Sequence, residues 1–201
     1  MSQVITYEQK NILFVLLVGA FALTSVQAGN FKLDNAHTSV GFKVKHLAIS
    51  NVPGTFKEYN GKFAFDEKTN SLTGLEVTIQ AASISTNDAD RDKHLKGKDF
   101  FDAGEFATIA FKATKAAVKK GGVSKVAGEL TIKGVTKPVV LEVKYGGSAK
   151  DPWGNTHLAF EAETKINRKD FGLTWNKTLE TGGLLVGEEV SIRIEGEAIP
   201  E

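Results

Sequence analysis

The chain has 201 residues, no Cys, a single Met and a formal net charge of +1 at pH 7. A chain of this length forms about one domain, and its core can be stable without disulfides. The balanced charge argues against a nucleic-acid-binding protein, because such proteins concentrate Lys and Arg on one face.

The first 28 residues are typical of a secretory signal peptide. An almost unbroken apolar run covers residues 12–23, and Val26 and Ala28 occupy the −3 and −1 positions of a small-residue cleavage site. The run is shorter than the ~20 residues that a transmembrane helix needs. We therefore predict cleavage after Ala28, an exported mature domain of residues 29–201, and no stable membrane insertion after cleavage.

Alternating apolar residues mark strands along most of the mature chain. In the first of them Val40, Phe42 and Val44 share one face, whereas Gly41 and Lys43 lie on the other. This period of two is expected of a strand with one buried face. The same alternation recurs in seven further segments. We predict eight strands, at residues 31–46, 55–66, 72–84, 108–116, 123–133, 138–146, 157–167 and 188–199.

The strand pattern favours an all-β, eight-stranded antiparallel barrel. Connections this short hold no helix that could link parallel strands, so neighbouring strands should be antiparallel. Eight such strands can close into a barrel that holds one small ligand. A two-sheet sandwich is the alternative that the pattern leaves open. Charged residues such as Glu142 and Lys144 lie opposite the apolar faces, the inverse of a membrane barrel, so the interior should be apolar.

Small residues interrupt the apolar faces, at Ala81, Ala113, Gly128, Ala162, Gly196 and Ala198. Either they leave room for a ligand in the lumen, or they relieve crowding where a twisted barrel tapers. A lumen along strands of this length would measure roughly 25–30 Å and would suit a long, thin apolar ligand.

One segment, residues 83–106, departs from the strand pattern. Thr86 or Asn87 can cap the start of a short helix, and Gly97 can end it. These positions predict a short helical insertion around residues 87–103. A helix of two to three turns is too short to be stable alone, so it should pack on the barrel.

The charged residues of this insertion allow two interpretations. Arg91 and His94, with neighbouring Lys residues, could bind an anionic head group at the mouth of the barrel. The alternative, which we favour, is a solvated helix with local ion pairs.

We predict seventeen ligand-binding residues in the lumen and at its mouth. Most are large apolar residues on inward faces, joined by a few polar residues near the mouth. They are Phe42, Val44, His46, Phe63, Phe65, Ile79, Arg91, His94, Phe100, Phe101, Phe111, Leu130, Leu141, Phe160, Arg168, Phe171 and Ile192.

Sites for metals and catalysis find little support in the sequence. No pair of His residues shows metal-ligand spacing, and there is neither a Cys nor a Gly-x-Ser-x-Gly nucleophile elbow. We therefore predict no catalytic residue, no metal and no cofactor. An enzyme using His94 or His37 as base with Asp92 or Asp170 is kept as an alternative. The four His residues are His37, His46, His94 and His157.

Six short motifs follow one another along the mature chain. They are Asp34-x-Ala36-His37-Thr38-Ser39-Val40-x-Phe42-x-Val44-x-His46, Ala82-Ser83-Ile84-x-Thr86-Asn87, Arg91-Asp92-x-His94-Leu95, Asp99-Phe100-Phe101-Asp102, Gly128-x-Leu130-Thr131-x-x-Gly134-Val135-Thr136-Lys137 and Ile166-Asn167-Arg168-x-Asp170-Phe171-Gly172. Together they resemble the YceI-like family of exported polyisoprenoid-binding proteins. The resemblance implies a lipocalin-like barrel with an apolar lumen for an isoprenoid or similar lipid, a periplasmic location and frequent homodimers.

The leading hypothesis is a non-enzymatic periplasmic protein that binds or transports a long apolar lipid, such as a polyisoprenoid or an isoprenoid quinone. Burial of an apolar chain contributes about 0.8 kcal/mol per CH₂ group, so binding needs no special chemistry. Two alternatives stay open: an enzyme that modifies such a lipid, and a stress-related structural or interaction module. The second alternative predicts a barrel that side chains fill completely.

Overall fold

The computed structural model describes residues 28–180 and 183–201, so the predicted signal peptide lies outside the described residues except for Ala28. Short 3₁₀ turns at Ala81–Ser83 and Arg168–Phe171 accompany the regular elements. Those elements, within the described ranges, are β1 (Gly29–His46), β2 (Ser50–Phe56), β3 (Tyr59–Asp66), β4 (Ser71–Gln80), β5 (Ile84–Ser85), α1 (Ala89–Lys96), β6 (Thr108–Ala117), β7 (Val123–Ile132), β8 (Val135–Lys150), β9 (Thr156–Asn167) and β10 (Val186–Pro200).

The strands form a closed antiparallel barrel. The sheet order runs β10-β9-β8-β7-β6-β4-β3-β1, and β1 also pairs with β10, which closes the ring. Strands β2 and β3 lie end to end along β1, because β2 pairs with residues 40–46 and β3 with residues 29–32. They act as one interrupted strand, and the wall therefore has eight strands. The predicted barrel is confirmed, and the sandwich alternative is wrong.

The two ends of the barrel differ. The end that we call the α1 end holds the β1–β2 turn, the insertion with α1, and the described residues of the β9–β10 connection, 168–180 and 183–185. The opposite end holds the β3–β4, β6–β7 and β8–β9 connections. Within the described ranges the longest helix, α1, has eight residues, too few for any helix there to cross a bilayer.

A wide bulge interrupts the β1–β10 seam that closes the barrel. The pairing register shifts between Asp34 and Ser39. Inside the bulge the Thr38 hydroxyl donates to the Glu197 carbonyl at 3.1 Å and accepts from the Glu197 N–H at 3.3 Å. A side chain at Gly196 would collide with Thr38. Glycine at that position therefore lets the bulge lie flat against β10.

The N-cap of α1 lies one residue after Asn87, the nearer of the two predicted caps. Asp88 is the cap, and its carboxylate accepts from the Arg91 N–H at 2.9 Å. Thr86 cannot cap the helix because its hydroxyl donates to the Asp92 carboxylate at 2.6 Å. The predicted end at Gly97 is confirmed.

Two of the six small residues of the apolar faces, Gly128 and Gly196, relieve crowding. Of the six, Ala162 is the one that lines the central cavity described below. At Gly128 a Cβ would collide with the Phe111 ring and the Lys112 carbonyl. Gly128 therefore lets β6 and β7 approach closely while the Phe111 ring stays inside. The crowding interpretation therefore accounts for Gly128 and Gly196, whereas Ala162 fits the open-lumen interpretation.

Gly128→Ala should lower the free energy of unfolding by about 1–3 kcal/mol, because the added methyl group overpacks the β6–β7 contact. Gly104→Ala is the matched control, since nothing lies within 4 Å of its Cβ position, and it should change stability by no more than about 1 kcal/mol. Urea unfolding measures both. Equal midpoints for the two variants would contradict the crowding at Gly128.

Candidate functional site

A central cavity of about 240 Å³ runs inside the barrel. Its lining residues come from all eight strands of the wall and from the α1 end. Among the described residues that line it, only Tyr145, Thr164 and Arg168 carry polar side chains. This lumen is therefore a narrow, almost wholly apolar channel, and the prediction of an apolar interior is confirmed.

Thirteen of the seventeen predicted ligand-binding residues line the lumen. Strand alternation places ten of them there, because every second side chain of a barrel strand points inward, whereas Phe100 and Phe101 belong to the insertion and Arg168 to a 3₁₀ turn. Their contact with a ligand stays a prediction. They are Phe42, Val44, Phe63, Phe65, Ile79, Phe100, Phe101, Phe111, Leu130, Leu141, Phe160, Arg168 and Ile192.

Four predicted residues do not line the lumen: His46, Arg91, His94 and Phe171. The β1–β10 register shifts between Val44 and His46, so the simple alternation ends before His46. Phe171 lies in a 3₁₀ turn rather than a strand, and it is only 2% exposed within the core. The prediction for His46 rested on the period of two, which the register shift interrupts, whereas Phe171 was expected to pack inward from an irregular segment and does so without lining the lumen.

Arg91 binds the turn that precedes α1 instead of the lumen. Its Nε donates to the Thr86 hydroxyl at 2.7 Å and its Nη2 to the Thr86 carbonyl at 2.8 Å. The Asp92 carboxylate accepts from the Thr86 N–H at 2.7 Å, and the hydroxyl bond from Thr86 lowers the pKa of Asp92. Local hydrogen bonding thus explains these charged residues better than a head-group site does.

His94 also makes local contacts. Its Nε2 lies 2.9 Å from the Asp99 carboxylate, and its ring packs edge-on against Phe100 and Trp175 at centroid distances of 5.1 and 4.8 Å. These contacts tie α1 to the β9–β10 connection. Sequence reasoning missed Trp175, which lies in a stretch without periodicity and offers only its aromatic character as a signal.

Aromatic side chains cover the α1 end of the lumen. Leu95, Phe100 and Phe101 from the insertion line the cavity there. The Phe101 ring packs edge-on against Phe56 at 5.8 Å, and Phe56 lies 5.7 Å from Phe42. Sequence reasoning missed Phe56, which ends β2 just before the break in the wall.

Arg168 fastens the β9–β10 connection at this same end. It is 4% exposed, and its guanidinium donates to the carbonyls of Gly187 at 2.8 Å, Val186 at 3.3 Å and Leu173. Burial lowers the pKa of Arg168. The guanidinium stays charged nevertheless, because the ordinary pKa of arginine lies far above neutral pH. The side chain therefore brings a desolvated positive charge to the wall of an otherwise apolar lumen.

A tyrosine and a glutamate lie at the opposite end of the lumen. The Tyr145 hydroxyl donates to the Glu67 carboxylate at 2.7 Å, and Ser148 donates to the same oxygen at 2.8 Å. The Tyr145 ring packs edge-on against Phe65 at 5.0 Å. Burial, together with the Glu67 hydrogen bond, raises the pKa of Tyr145 to about 12.

Comparison with known proteins identifies the family. A family model described as the YceI-like domain matches residues 31–198. The chain belongs to the YceI-like family. Protein YceI of Salmonella newport is 41% identical over 191 residues, covering 94% of this chain and 97% of that protein.

Solved structures of this fold agree with the architecture. The crystal structure of a Campylobacter jejuni YceI protein is 39% identical, with a TM-score of 0.68 over 84% of this chain and 96% of that one. A polyisoprenoid binding domain from Saccharophagus degradans has a TM-score of 0.59 over 85% of this chain and 98% of that one, at 13% identity. This last likeness shows the shared fold.

Arg168→Met should lower the free energy of unfolding by about 3 kcal/mol, because one buried and two partly buried carbonyls lose their donor. The matched control is Arg193→Met on the outer face, where the guanidinium is exposed and pairs with Glu161 and Glu163 at 3.7 and 3.1 Å. Exposed pairs contribute about 0–1 kcal/mol each. Denaturant unfolding measures both variants. Equal decreases in their free energy of unfolding would contradict the role of Arg168.

Alkaline unfolding should report the Tyr145–Glu67 contact. The folded-state pKa of Tyr145, about 12, lies above its ordinary value of 10.0. Its contribution to stability is therefore complete below pH 10 and is lost as the pH rises towards 12. Tyr145→Phe should lose less stability than the wild type across this window, measured by urea unfolding at several pH values. Parallel stability curves for the two proteins would contradict the raised pKa.

Proposed function

We propose that this protein binds one long apolar lipid, such as a polyisoprenoid or an isoprenoid quinone, in its lumen. It acts as a non-enzymatic carrier in the periplasm, after removal of the signal peptide. The observation that carries the proposal is the lumen, a cavity of about 240 Å³ with an almost wholly apolar lining. The Saccharophagus degradans domain of the same fold is described as polyisoprenoid binding, which supports this ligand class.

The shape of the lumen favours a thin chain over a compact molecule. Lining residues extend along β4 from Leu72 to Ile79 and along β10 from Val186 to Ile194. At about 3.3 Å per residue these stretches span roughly 23–26 Å. The cavity volume lies below the range of about 300–1,000 Å³ that drug-sized ligands occupy. A long lumen of small volume accepts a linear hydrocarbon, and rotation of its lining Phe side chains would widen it.

Favourable binding also requires a long chain, because the free energy of burial must exceed the cost of association. Each buried CH₂ group contributes about 0.8 kcal/mol, whereas association costs at least about 4 kcal/mol in lost translational and rotational freedom. Burial of about five carbons therefore only offsets this minimum cost of association, whereas burial of about fifteen carbons favours binding by several kcal/mol. Several isoprene units meet that requirement without a head-group contact.

The two alternative functions have less support. His37 and His94 do not line the lumen, so neither is placed to act as a base on a lipid bound there. Instead, His37 lies 2.7 Å from Asp34 on the outer face, and His94 contacts Asp99 rather than Asp92. The cavity itself counts against a barrel that side chains fill completely.

Delipidated protein should take up one octaprenol per chain and should retain little geraniol, because geraniol is too short to contact the lumen along its whole length. Uptake is measured by gel filtration, extraction and mass spectrometry. Ala162→Leu narrows the lumen and should lower octaprenol retention about tenfold or more, the loss expected when two or three CH₂ groups are displaced. Ala127→Leu on the exposed face of β7 is the matched control and should retain octaprenol normally.

A second pair of variants tests the α1 end. Phe101→Ala removes a lumen-lining ring and should weaken octaprenol retention more than Lys96→Ala, whose side chain is not part of the lining. If wild-type protein takes up no octaprenol, the proposed function is wrong. If it does and the two variants behave alike, the insertion serves only as a connector.

A further inference from the structure

A cluster of His and carboxylate side chains lies on the outer face of the barrel, at the seam where β9, β10 and β1 meet. It contains Asp34 from β1, His157 from β9 and Glu197 from β10, all half-buried. One carboxylate oxygen from Asp34, one from Glu197 and a ring nitrogen of His157 lie within 4.8 Å of one another. The proposed lipid site does not share these residues, since none of them lines the lumen.

Two further side chains extend the cluster. His157 Nδ1 lies 2.7 Å from the Glu197 carboxylate, and its Nε2 lies 3.5 Å from the Asp151 carboxylate. His37 Nδ1 lies 2.7 Å from the Asp34 carboxylate, and the rings of His37 and His157 are 6.4 Å apart. Two imidazoles and three carboxylates therefore converge on a small area.

The orientation of His157 is that of a metal-ligating histidine. In such sites one ring nitrogen binds the ion, and the other donates to an outer carboxylate that fixes the ring. Here Nδ1 faces the Glu197 carboxylate while Nε2 faces Asp151. With neutral imidazoles the three carboxylates carry three negative charges, so a divalent cation would be attracted. Imidazole nitrogen and carboxylate oxygen together are donors that suit Zn²⁺ and similar first-row ions.

The backbone around the cluster is held in place. Thr38 binds both the N–H and the carbonyl of Glu197, as described for the bulge. The Tyr59 hydroxyl donates to the Thr38 carbonyl, and Asn35 Nδ2 donates to the Tyr59 carbonyl at 3.0 Å. These bonds fix the separation of Asp34 and Glu197 across the seam, which limits the rearrangement that a bound ion would require.

We propose that Asp34, His157 and Glu197 bind one divalent transition-metal ion of the Zn²⁺ class, with His37 available as a fourth ligand and Asp151 orienting His157. The ion replaces the His157–Glu197 hydrogen bond with two metal–ligand bonds and links three neighbouring strands. Local sequence spacing shows no such site, because the ligands come from strands that are distant in the chain and adjacent only in the closed barrel.

The test is a titration of EDTA-treated protein with ZnCl₂ in competition with a chromogenic chelator, followed by thermal unfolding. We expect one Zn²⁺ per chain and a higher unfolding midpoint with Zn²⁺. His157→Gln and Asp34→Asn should each lower the Zn²⁺ affinity at least tenfold, and Asp151→Asn should lower it 10–100-fold, as outer carboxylates do elsewhere.

The control is His94→Gln, which removes a histidine that also contacts a carboxylate, Asp99 at 2.9 Å, but lies at the α1 end of the barrel. This variant should bind Zn²⁺ like the wild type. If His157→Gln does not fold, the Zn²⁺ affinity of Glu197→Gln is measured instead, because glutamine keeps the size of the Glu197 side chain and a hydrogen bond to His157. The absence of saturable 1:1 binding by the wild type, or equal losses in His94→Gln and the cluster variants, would overturn the proposal.

Discussion

The pairing of β1 with β10 is the interaction on which the rest of the structure depends. It joins the first and last strands of the wall, from Phe31 opposite Pro200 to His46 opposite Val186. Because this pairing closes the ring, the eight wall strands have no free edge, and their inward faces enclose a lumen. An open sheet of the same strands would expose the lumen-lining side chains to water.

Different contacts close the two ends of this ring. At the α1 end, side chains of the insertion and the β9–β10 connection pack together, with His94, Phe100 and Trp175 in mutual aromatic contact and Arg168 bonded to backbone carbonyls. At the opposite end, Tyr145 reaches Glu67 across the barrel. The walls between them offer almost no polar partner, so recognition there depends on length and width rather than on hydrogen bonds.

The sequence predicted the barrel well because alternation is a local signal. Ten of the proposed ligand-binding residues follow that alternation into the lumen, whereas Arg91 and His94 were chosen for their charge and bind their neighbours instead. The contacts of Phe56 and Trp175, and the meeting of Asp34, His157 and Glu197, depend on which strands become neighbours. Local periodicity carries no information on that pairing, so these features could not be derived from it.

The central claim is that the lumen holds a long apolar lipid. Native mass spectrometry of the protein, purified gently from its own host without detergent, tests it most directly. We expect the mature chain to carry one additional mass that dissociates on activation and that is identified as a prenyl-type or similarly long apolar lipid. A spectrum of the bare chain alone, or of a chain carrying a short polar molecule, would contradict this account.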